Sequence, residues 1–288
     1  MQTPRISASS YSNTAPLVWS FLYGTNHGKY ELIMDNAPAR SAELLSEGRV
    51  DAALVPVIEY QRIADVLLVP EVCVGARERV RSVCLATRGA DLRDVKTVAL
   101  DVSSRTSVAL TRIIFREFLG FEPVYHVMRP NLAAMLETAD CALLIGDPAL
   151  MIPDFKFETA AAAERSTLEE RGSAVKDRIR KFDLAETWRK FTGCGFVFAM
   201  WMARKERAAV ARTIDFAAAR DEGVAHLDEI IANYEGRITL PREDFKRYLS
   251  ENISYAVDDS MHRGLALYYD LAHKHGLIEN RRALNFLD

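Results

Sequence analysis

Two serine-rich segments stand at the same place in two similar parts of the chain, and both could bind an anion. The first serine loop, residues 9–14, reads Ser-Ser-Tyr-Ser-Asn-Thr, and the second serine loop, residues 103–107, reads Ser-Ser-Arg-Thr-Ser. Each loop follows a predicted strand and precedes a predicted helix. The free N–H groups and positive dipole end of such a helix favour a carboxylate or phosphate, and hydroxyl groups add donors. The two loops therefore predict an anion-binding site.

Further candidates lie near these loops. A helix cap needs one hydroxyl, so four hydroxyls and an arginine in the second loop favour ligand binding over capping alone. Other interpretations stay open: Asn13 could cap its helix, Asp147 could cap the next turn, and Tyr11 and Phe196 could be core aromatics. Ser82 is a lone polar residue in an apolar run that could face the cleft or the core. The candidate binding residues are Tyr11, Ser12, Thr14, Pro56, Ser103, Ser104, Arg105, Thr106, Ser107, Gly146, Asp147 and Phe196.

A repeated β-α-β-α-β order positions the loops. The first copy has predicted strands at 5–9, 30–34 and 51–55 and helices at 14–23 and 38–46. The second has strands at 97–102, 124–128 and 140–145 and helices at 105–119 and 131–138. Continuous apolar runs such as 52–55 and 141–145 are typical of parallel strands covered on both faces. We predict an α/β fold of two βαβαβ lobes facing across a cleft, with a helical C-terminus.

The chain is expected to cross between the lobes twice. Strands at 80–86 and 196–202 flank the second copy, which predicts a discontinuous lobe 1 (residues 1–88 plus 196–288) and an inserted lobe 2 (residues 89–195). Two crossings would form a hinge about which the cleft closes. Residues 155–182 indicate a surface helix or a mobile loop. Helices predicted at 205–222, 224–234, 242–252 and 258–275 are expected to pack on lobe 1.

Composition excludes several classes of protein. Hydrophobic residues make up 49% of the chain, charged residues 27%, and the net charge is -3, as in an ordinary globular protein. The sequence lacks the clustered basic residues that would predict a nucleic-acid partner. The sequence shows no apolar run long enough to span a membrane and no signal segment for export. We therefore expect no membrane partner and a cytoplasmic location. The four cysteines and six histidines show no metal-ligand spacing. No glycine-rich nucleotide motif is present, so we expect neither a metal nor a cofactor.

The same segments resemble the chorismate dehydratases of the futalosine route to menaquinone. The resemblance covers about residues 5–202 in ordered blocks. It departs at residues 192–196, Thr-Gly-Cys-Gly-Phe, where Thr-Gly-Leu-Pro-Phe is usual, and in the segment 155–182, which is longer than typical. The matching blocks are 10–17 (Ser-Tyr-Ser-Asn-Thr-Ala-Pro-Leu), 48–56, 81–83, 101–107, 145–150 and 196–201.

The resemblance implies a type II periplasmic-binding-protein-like fold and a cofactor-free hydro-lyase. Chorismate would lose its C3 proton and C4 hydroxyl as water, giving 3-[(1-carboxyvinyl)oxy]benzoate. Asn13 and Ser82 would be the catalytic residues, orienting the departing hydroxyl or the enolpyruvyl group. The second serine loop would bind a carboxylate, the ring carboxylate in our interpretation. The enolpyruvyl carboxylate of the substrate itself would then remove the proton.

Three alternatives remain at this level. The fold also suits a non-catalytic protein that binds small carboxylates. The related 1,4-dihydroxy-6-naphthoate synthase uses a similar scaffold, but with an acidic, Asp-Pro-rich first loop and a histidine. A regulatory sensor would need an attached DNA-binding module. The oligomeric state is left open, with a homodimer as one alternative.

Overall fold

Ten strands form two sheets with the same internal order in the part of the chain that the computed structural model describes, residues 3–153 and 179–288. The first sheet has the order β2-β1-β3-β10-β4 and the second β7-β6-β8-β5-β9, with these bounds: β1 (Arg5–Ser9), β2 (Glu31–Asp35), β3 (Ala52–Pro56), β4 (Val66–Ala76), β5 (Val83–Thr87), β6 (Thr97–Asp101), β7 (Val124–Met128), β8 (Cys141–Ile145), β9 (Arg180–Asp183) and β10 (Phe196–Arg204).

Helices cover these sheets and join the two lobes. No helix in the described stretches is long and apolar enough to cross a membrane. In those stretches the helices are α1 (Ala15–Leu22), α2 (Pro38–Ser46), α3 (Glu59–Arg62), α4 (Thr106–Ile113), α5 (Leu132–Thr138), α6 (Gly146–Leu150), α7 (Leu184–Thr192), α8 (Ala208–Ala211), α9 (Phe216–Ala225), α10 (Leu227–Asn233), α11 (Arg242–Arg247) and α12 (Asp259–Lys274).

The predicted repeat is confirmed. In the first sheet β1 runs parallel to both β2 and β3, and in the second β6 runs parallel to both β7 and β8. Every residue of β3 and β8 is buried, as expected for strands covered on both faces. A strand from elsewhere in the chain then adds antiparallel to each, β10 to β3 and β5 to β8. The first serine loop follows the carboxyl end of β1 and the second follows that of β6. These two strands have the same position in their sheets.

The crossing strands differ from the prediction. The division after residue 88 placed the predicted strand 80–86 in the first lobe, whereas β5 hydrogen-bonds to β8 and β9 and so lies in the second sheet. The other crossing strand, β10, lies in the first sheet between β3 and β4. Strand β4 was not predicted at all. Pro70 and Glu71 interrupt the apolar pattern of this strand in the sequence. In the structure the strand is irregular at the same place, where Glu71 has a positive φ of 59°.

The C-terminal half also needs two corrections. The predicted helix 205–222 is broken, and the Asp215 side chain caps α9 by accepting the N–H of Ala218 at 2.9 Å. Helix α12 packs on β10 of the first lobe but also on α4 of the second, so it is not confined to lobe 1. Of the predicted surface segment 155–182, residues 180–182 lie in β9, and the rest apart from 179 falls outside the described residues.

Candidate functional site

A cavity of about 60 Å³ lies between the lobes. The two serine loops, including Ser9, form much of its wall, together with Phe198 and apolar side chains from the central strands. Predicted site residues that line it are Tyr11, Asn13, Thr14, Pro56, Ser103, Ser104, Arg105, Thr106, Ser107 and Gly146.

Four predicted residues lie outside the cavity wall. Ser12 and Asp147 bind each other behind it, and Ser82 is fully buried. Phe196 is 1% exposed and packs against Trp188 in the core. The aromatic wall is instead Phe198, two residues further along the same strand. On this strand the structure thus places Phe198, and not the predicted Phe196, at the cavity.

The second serine loop presents an uncapped helix terminus to the cavity. Asp101, fully buried at the end of β6, accepts the N–H and hydroxyl of Ser103 at 2.9 and 2.5 Å. No side chain among the described residues caps α4, and neither Ser103 nor Ser104 does so, which contradicts the capping interpretation of this loop. The Ser104 and Ser107 hydroxyls make no hydrogen bond within the described residues, although both side chains line the cavity. The loop thus offers free hydroxyls and free N–H groups to an anion.

The first serine loop is held by its own backbone and leaves one amide unpaired. The Thr14 hydroxyl donates to the carbonyls of Ser9 and Tyr11 at 2.6 and 2.8 Å. Neither Asn13 nor another side chain caps the first turn here. Asn13 is 8% exposed, and its side-chain oxygen is buried without a partner in the described structure. Since an unpaired buried polar group is rare, this amide is available to a ligand or a neighbour.

Side chains from one lobe reach the other on both sides of the cavity. Ser12 donates its N–H and its hydroxyl to Asp147 Oδ1 at 3.0 and 2.5 Å. Tyr11 and Ser103 share a hydroxyl contact of 3.4 Å. Gly146 has a φ of 64°, and a Cβ there would lie 2.7 Å from the Tyr11 ring. The loops are therefore in contact, and the cleft is closed.

An ion-pair network closes the opposite side. Arg105 of the second loop binds Glu59 at 3.0 Å and Glu43 at 3.2 Å, both on helices of the first lobe. Glu59 is almost fully buried and also binds Arg62 at 3.0 Å. The Thr106 hydroxyl accepts the N–H of Ile58 at 3.3 Å. Arg105, predicted to bind substrate, thus lines the cavity while its charge is used between the lobes.

Helix α12 adds a third connection. Its adjacent residues Tyr268 and Tyr269 donate their hydroxyls to two backbone carbonyls, those of Thr106 at 3.0 Å and Val57 at 2.6 Å. Thr106 belongs to the second lobe and Val57 to the first. One helix consequently binds both lobes directly beside the cavity.

The described residues contain no group of three or more His, Cys, Asp or Glu side chains arranged to hold a metal ion.

The sequence matches a protein-family model described as menaquinone biosynthesis over residues 4–274. The chain belongs to this menaquinone biosynthesis family. It is 31% identical over 241 residues to the chorismate dehydratase of Thermus thermophilus, spanning 82% of this chain and 84% of that protein.

Solved structures show the fold of this menaquinone biosynthesis protein. A protein from Archaeoglobus fulgidus is similar with a TM-score of 0.68 and 17% identity, covering 95% of this chain and 98% of that one. The periplasmic aliphatic sulphonate binding protein SsuA from Escherichia coli is similar with a TM-score of 0.59 and 16% identity, covering 96% and 89%. The predicted periplasmic-binding-protein-like fold is therefore confirmed.

Burial governs the titration of the acidic groups around this family member's cavity. It is the largest cause that raises the pKa of Asp101 and of Asp147, against the lowering effect of hydrogen bonds from Ser103 and Ser12. Burial likewise raises the pKa of Tyr11. The Tyr11 phenol is consequently protonated at neutral pH and acts as a hydrogen-bond donor or acceptor, not as a base.

Asp147→Asn is expected to stabilise the protein increasingly as the pH rises. Because the folded pKa of Asp147 is raised, the folded state binds this proton more tightly than the unfolded chain. Its contribution to the free energy of unfolding is therefore greatest below the unfolded pKa of about 3.9 and falls as the pH rises through the folded pKa. The amide keeps an acceptor for Ser12 and removes that decline. Chemical denaturation across this pH range measures the difference.

Asp228→Asn is the control of opposite sign. Asp228 is exposed, and a hydrogen bond from Lys246 lowers its pKa. Its stabilising contribution is present above the unfolded pKa and is lost as the pH falls, so this variant should lose stability relative to wild type as the pH rises. The same trend in both variants would contradict the assignment to Asp147.

Arg105→Gln is expected to lower the free energy of unfolding by about 1–3 kcal/mol, because Glu59 stays buried with Arg62 as its remaining cation. Glu59 has a side chain only 3% exposed, so water does not replace the lost partner. Urea denaturation measures the effect. Arg49→Gln is the control: Arg49 is 52% exposed and its bond to Glu47 should contribute less than about 1 kcal/mol. Equal effects would show that Arg105 stabilises nothing between the lobes.

Several residues of this site escaped prediction. Phe198 lines the cavity, Asp101 organises the second loop, and Glu59 holds Arg105. Asp101 ends the strand equivalent to the one that Ser9 ends, so the repeat itself held a signal for it. Tyr248 approaches the site from the C-terminal helices, where the sequence carries no motif.

Proposed function

We propose that this protein is a chorismate dehydratase that eliminates water from chorismate to give 3-[(1-carboxyvinyl)oxy]benzoate in menaquinone biosynthesis. The family and the dehydratase relative support the reaction. The observation that carries it in the structure is the uncapped α4 terminus, which faces the cavity beside Asn13 together with the free hydroxyls of Ser104 and Ser107. Chorismate has two carboxylates, and such a terminus suits one of them.

The second serine loop binds the ring carboxylate in this proposal. Removal of the C3 proton leaves a carbanion whose charge delocalises onto that carboxylate. Donors already aimed at the carboxylate stabilise this charge more in the transition state than in the ground state. The hydroxyls of Ser104 and Ser107 and the N–H groups of the α4 terminus are in place to do so.

The proton acceptor comes from the substrate. The cavity wall in the described structure includes hydroxyl, amide and apolar side chains and Arg105, but no His, Lys, Asp or Glu. The enolpyruvyl carboxylate takes the C3 proton, Asn13 orients the departing C4 hydroxyl, and the two leave as water. The cavity's part is to hold the reacting atoms in position and exclude solvent. No electrons are gained or lost overall, so the reaction needs no redox cofactor.

The proposal includes a cytoplasmic location and a small-molecule partner, chorismate. The biosynthetic family and its dehydratase relative support both.

Incubation of the purified protein with chorismate tests this function. The diene absorbance of chorismate should disappear without added metal or nucleotide, and mass spectrometry should find a product lighter by one water. Binding of unchanged chorismate would replace the proposal with a non-catalytic carboxylate-binding protein. Absence of binding would overturn both.

A further inference from the structure

Tyr248 carries a buried hydroxyl that no function described so far uses. It begins the π-helical segment Tyr248–Asn252 that continues α11, and its ring stacks on Phe245 with centroids 6.2 Å apart. The residue is fully buried. Its hydroxyl has no hydrogen-bond partner of normal geometry in the described structure. Because a buried hydroxyl without a partner is rare, this one calls for an explanation.

The phenol faces the two residues predicted to be catalytic. Burial is the largest influence on Tyr248 and raises its pKa, while the side chains of Ser82 and Asn13 act against it as nearby hydrogen-bonding groups. Asn13 has its own buried, unpaired oxygen. Within the described residues, the Ser82 hydroxyl has one hydrogen bond of accepted geometry, a 3.4 Å contact with the carbonyl of Val80. Three incompletely paired polar groups from three separate segments thus meet behind the cavity wall.

Donors and acceptors match along these groups. A tyrosine hydroxyl can donate to the carboxamide oxygen of Asn13, and its own oxygen can accept from the Ser82 hydroxyl. The Asn13 amide nitrogen would then be directed toward the cavity that Asn13 lines.

We propose that Tyr248 is a positioning residue that fixes the orientation of the Asn13 carboxamide, with Ser82 acting through Tyr248. The proposal rests on the proposed function for its effect on turnover. It explains why Ser82, although predicted to be catalytic, lies outside the cavity wall. Tyr248 itself does not line the cavity and is not assigned contact with the substrate.

Tyr248→Phe removes the hydroxyl and keeps the ring that packs in the core. We expect kcat for chorismate to fall about tenfold, the value of one hydrogen bond, with KM and the melting temperature little changed. Tyr255→Phe is the matched control, since Tyr255 is also buried with an unpartnered hydroxyl. It should leave kcat unchanged. An unchanged kcat in Tyr248→Phe would overturn the proposal.

A double-mutant cycle separates positioning from a structural role. If Tyr248 acts through Asn13, Tyr248→Phe should have no further effect on kcat in an Asn13→Ala background. Additive losses of kcat, accompanied by a lower melting temperature, would show that Tyr248 only supports the fold.

A readout without turnover keeps this inference distinct from the proposed function. The side-chain NH₂ signal of Asn13 in a ¹H–¹⁵N spectrum should shift in Tyr248→Phe and not in Tyr255→Phe. If wild-type protein leaves chorismate unchanged but the signal shifts, the proposed function fails and the Tyr248–Asn13 contact stands. If chorismate is converted but the signal does not move, the positioning role fails.

Discussion

Asn13→Ala is expected to lower kcat for chorismate about 10²- to 10³-fold, the usual effect of removing one donor that acts in the transition state. Asn13 lines the cavity, and with its side-chain oxygen held by Tyr248 as proposed above, its NH₂ group is directed to the substrate. Its amide is therefore free to bind the C4 hydroxyl as it leaves. Steady-state kinetics on the folded variant measure the loss.

The control for this change is Asn233→Ala. Asn233 is an exposed residue at the end of α10, outside the cavity wall. It should leave both kcat and KM at the wild-type values, and circular dichroism should show both variants folded. Near-normal turnover by Asn13→Ala would remove Asn13 from the mechanism.

Combined replacement of Ser104 and Ser107 by Ala is expected to lower kcat/KM about 100-fold, because each substitution removes one hydrogen bond to the charged carboxylate of the substrate. Part of the loss should fall in kcat, because the ring carboxylate gains charge in the transition state. Neither hydroxyl has another partner in the described residues, so the fold should tolerate both changes. Chorismate kinetics and thermal unfolding measure the two effects separately.

Thr111→Val provides the matched control in the same helix. Its hydroxyl is buried and unpaired, and Thr111 is not part of the cavity wall. The variant should retain wild-type kcat/KM and be at least as stable, because it removes an unsatisfied polar group. If the serine pair behaves like Thr111→Val, the carboxylate does not bind at the second serine loop.

The sequence predicted the lobes and both serine loops because these depend on local patterns. Apolar runs identified the central strands, and the loops follow the strand ends that the repeat marks. The sequence could not distinguish Phe196 from Phe198, because the two residues share one face of β10 and only packing against Trp188 decides which of them is covered.

Contacts between distant segments could not be predicted. Arg105 looks like an anion-binding residue within its loop, and only the folded chain brings Glu59 to it. Strand β5 was placed in the wrong lobe because its pattern shows that it is buried but not which sheet it joins. Tyr248 lies well over a hundred residues from either serine loop, in a region whose helical pattern indicates packing alone.

The neighbouring residues Tyr268 and Tyr269 of α12 affect how such a protein can evolve. Their hydroxyls bind main-chain oxygens at Val57 and Thr106, so these two bonds do not depend on which side chains those positions carry. Side chains facing the ligand can therefore be exchanged while the link between the lobes stays. A scaffold held in this way can acquire new specificities for carboxylates without first losing its closed shape.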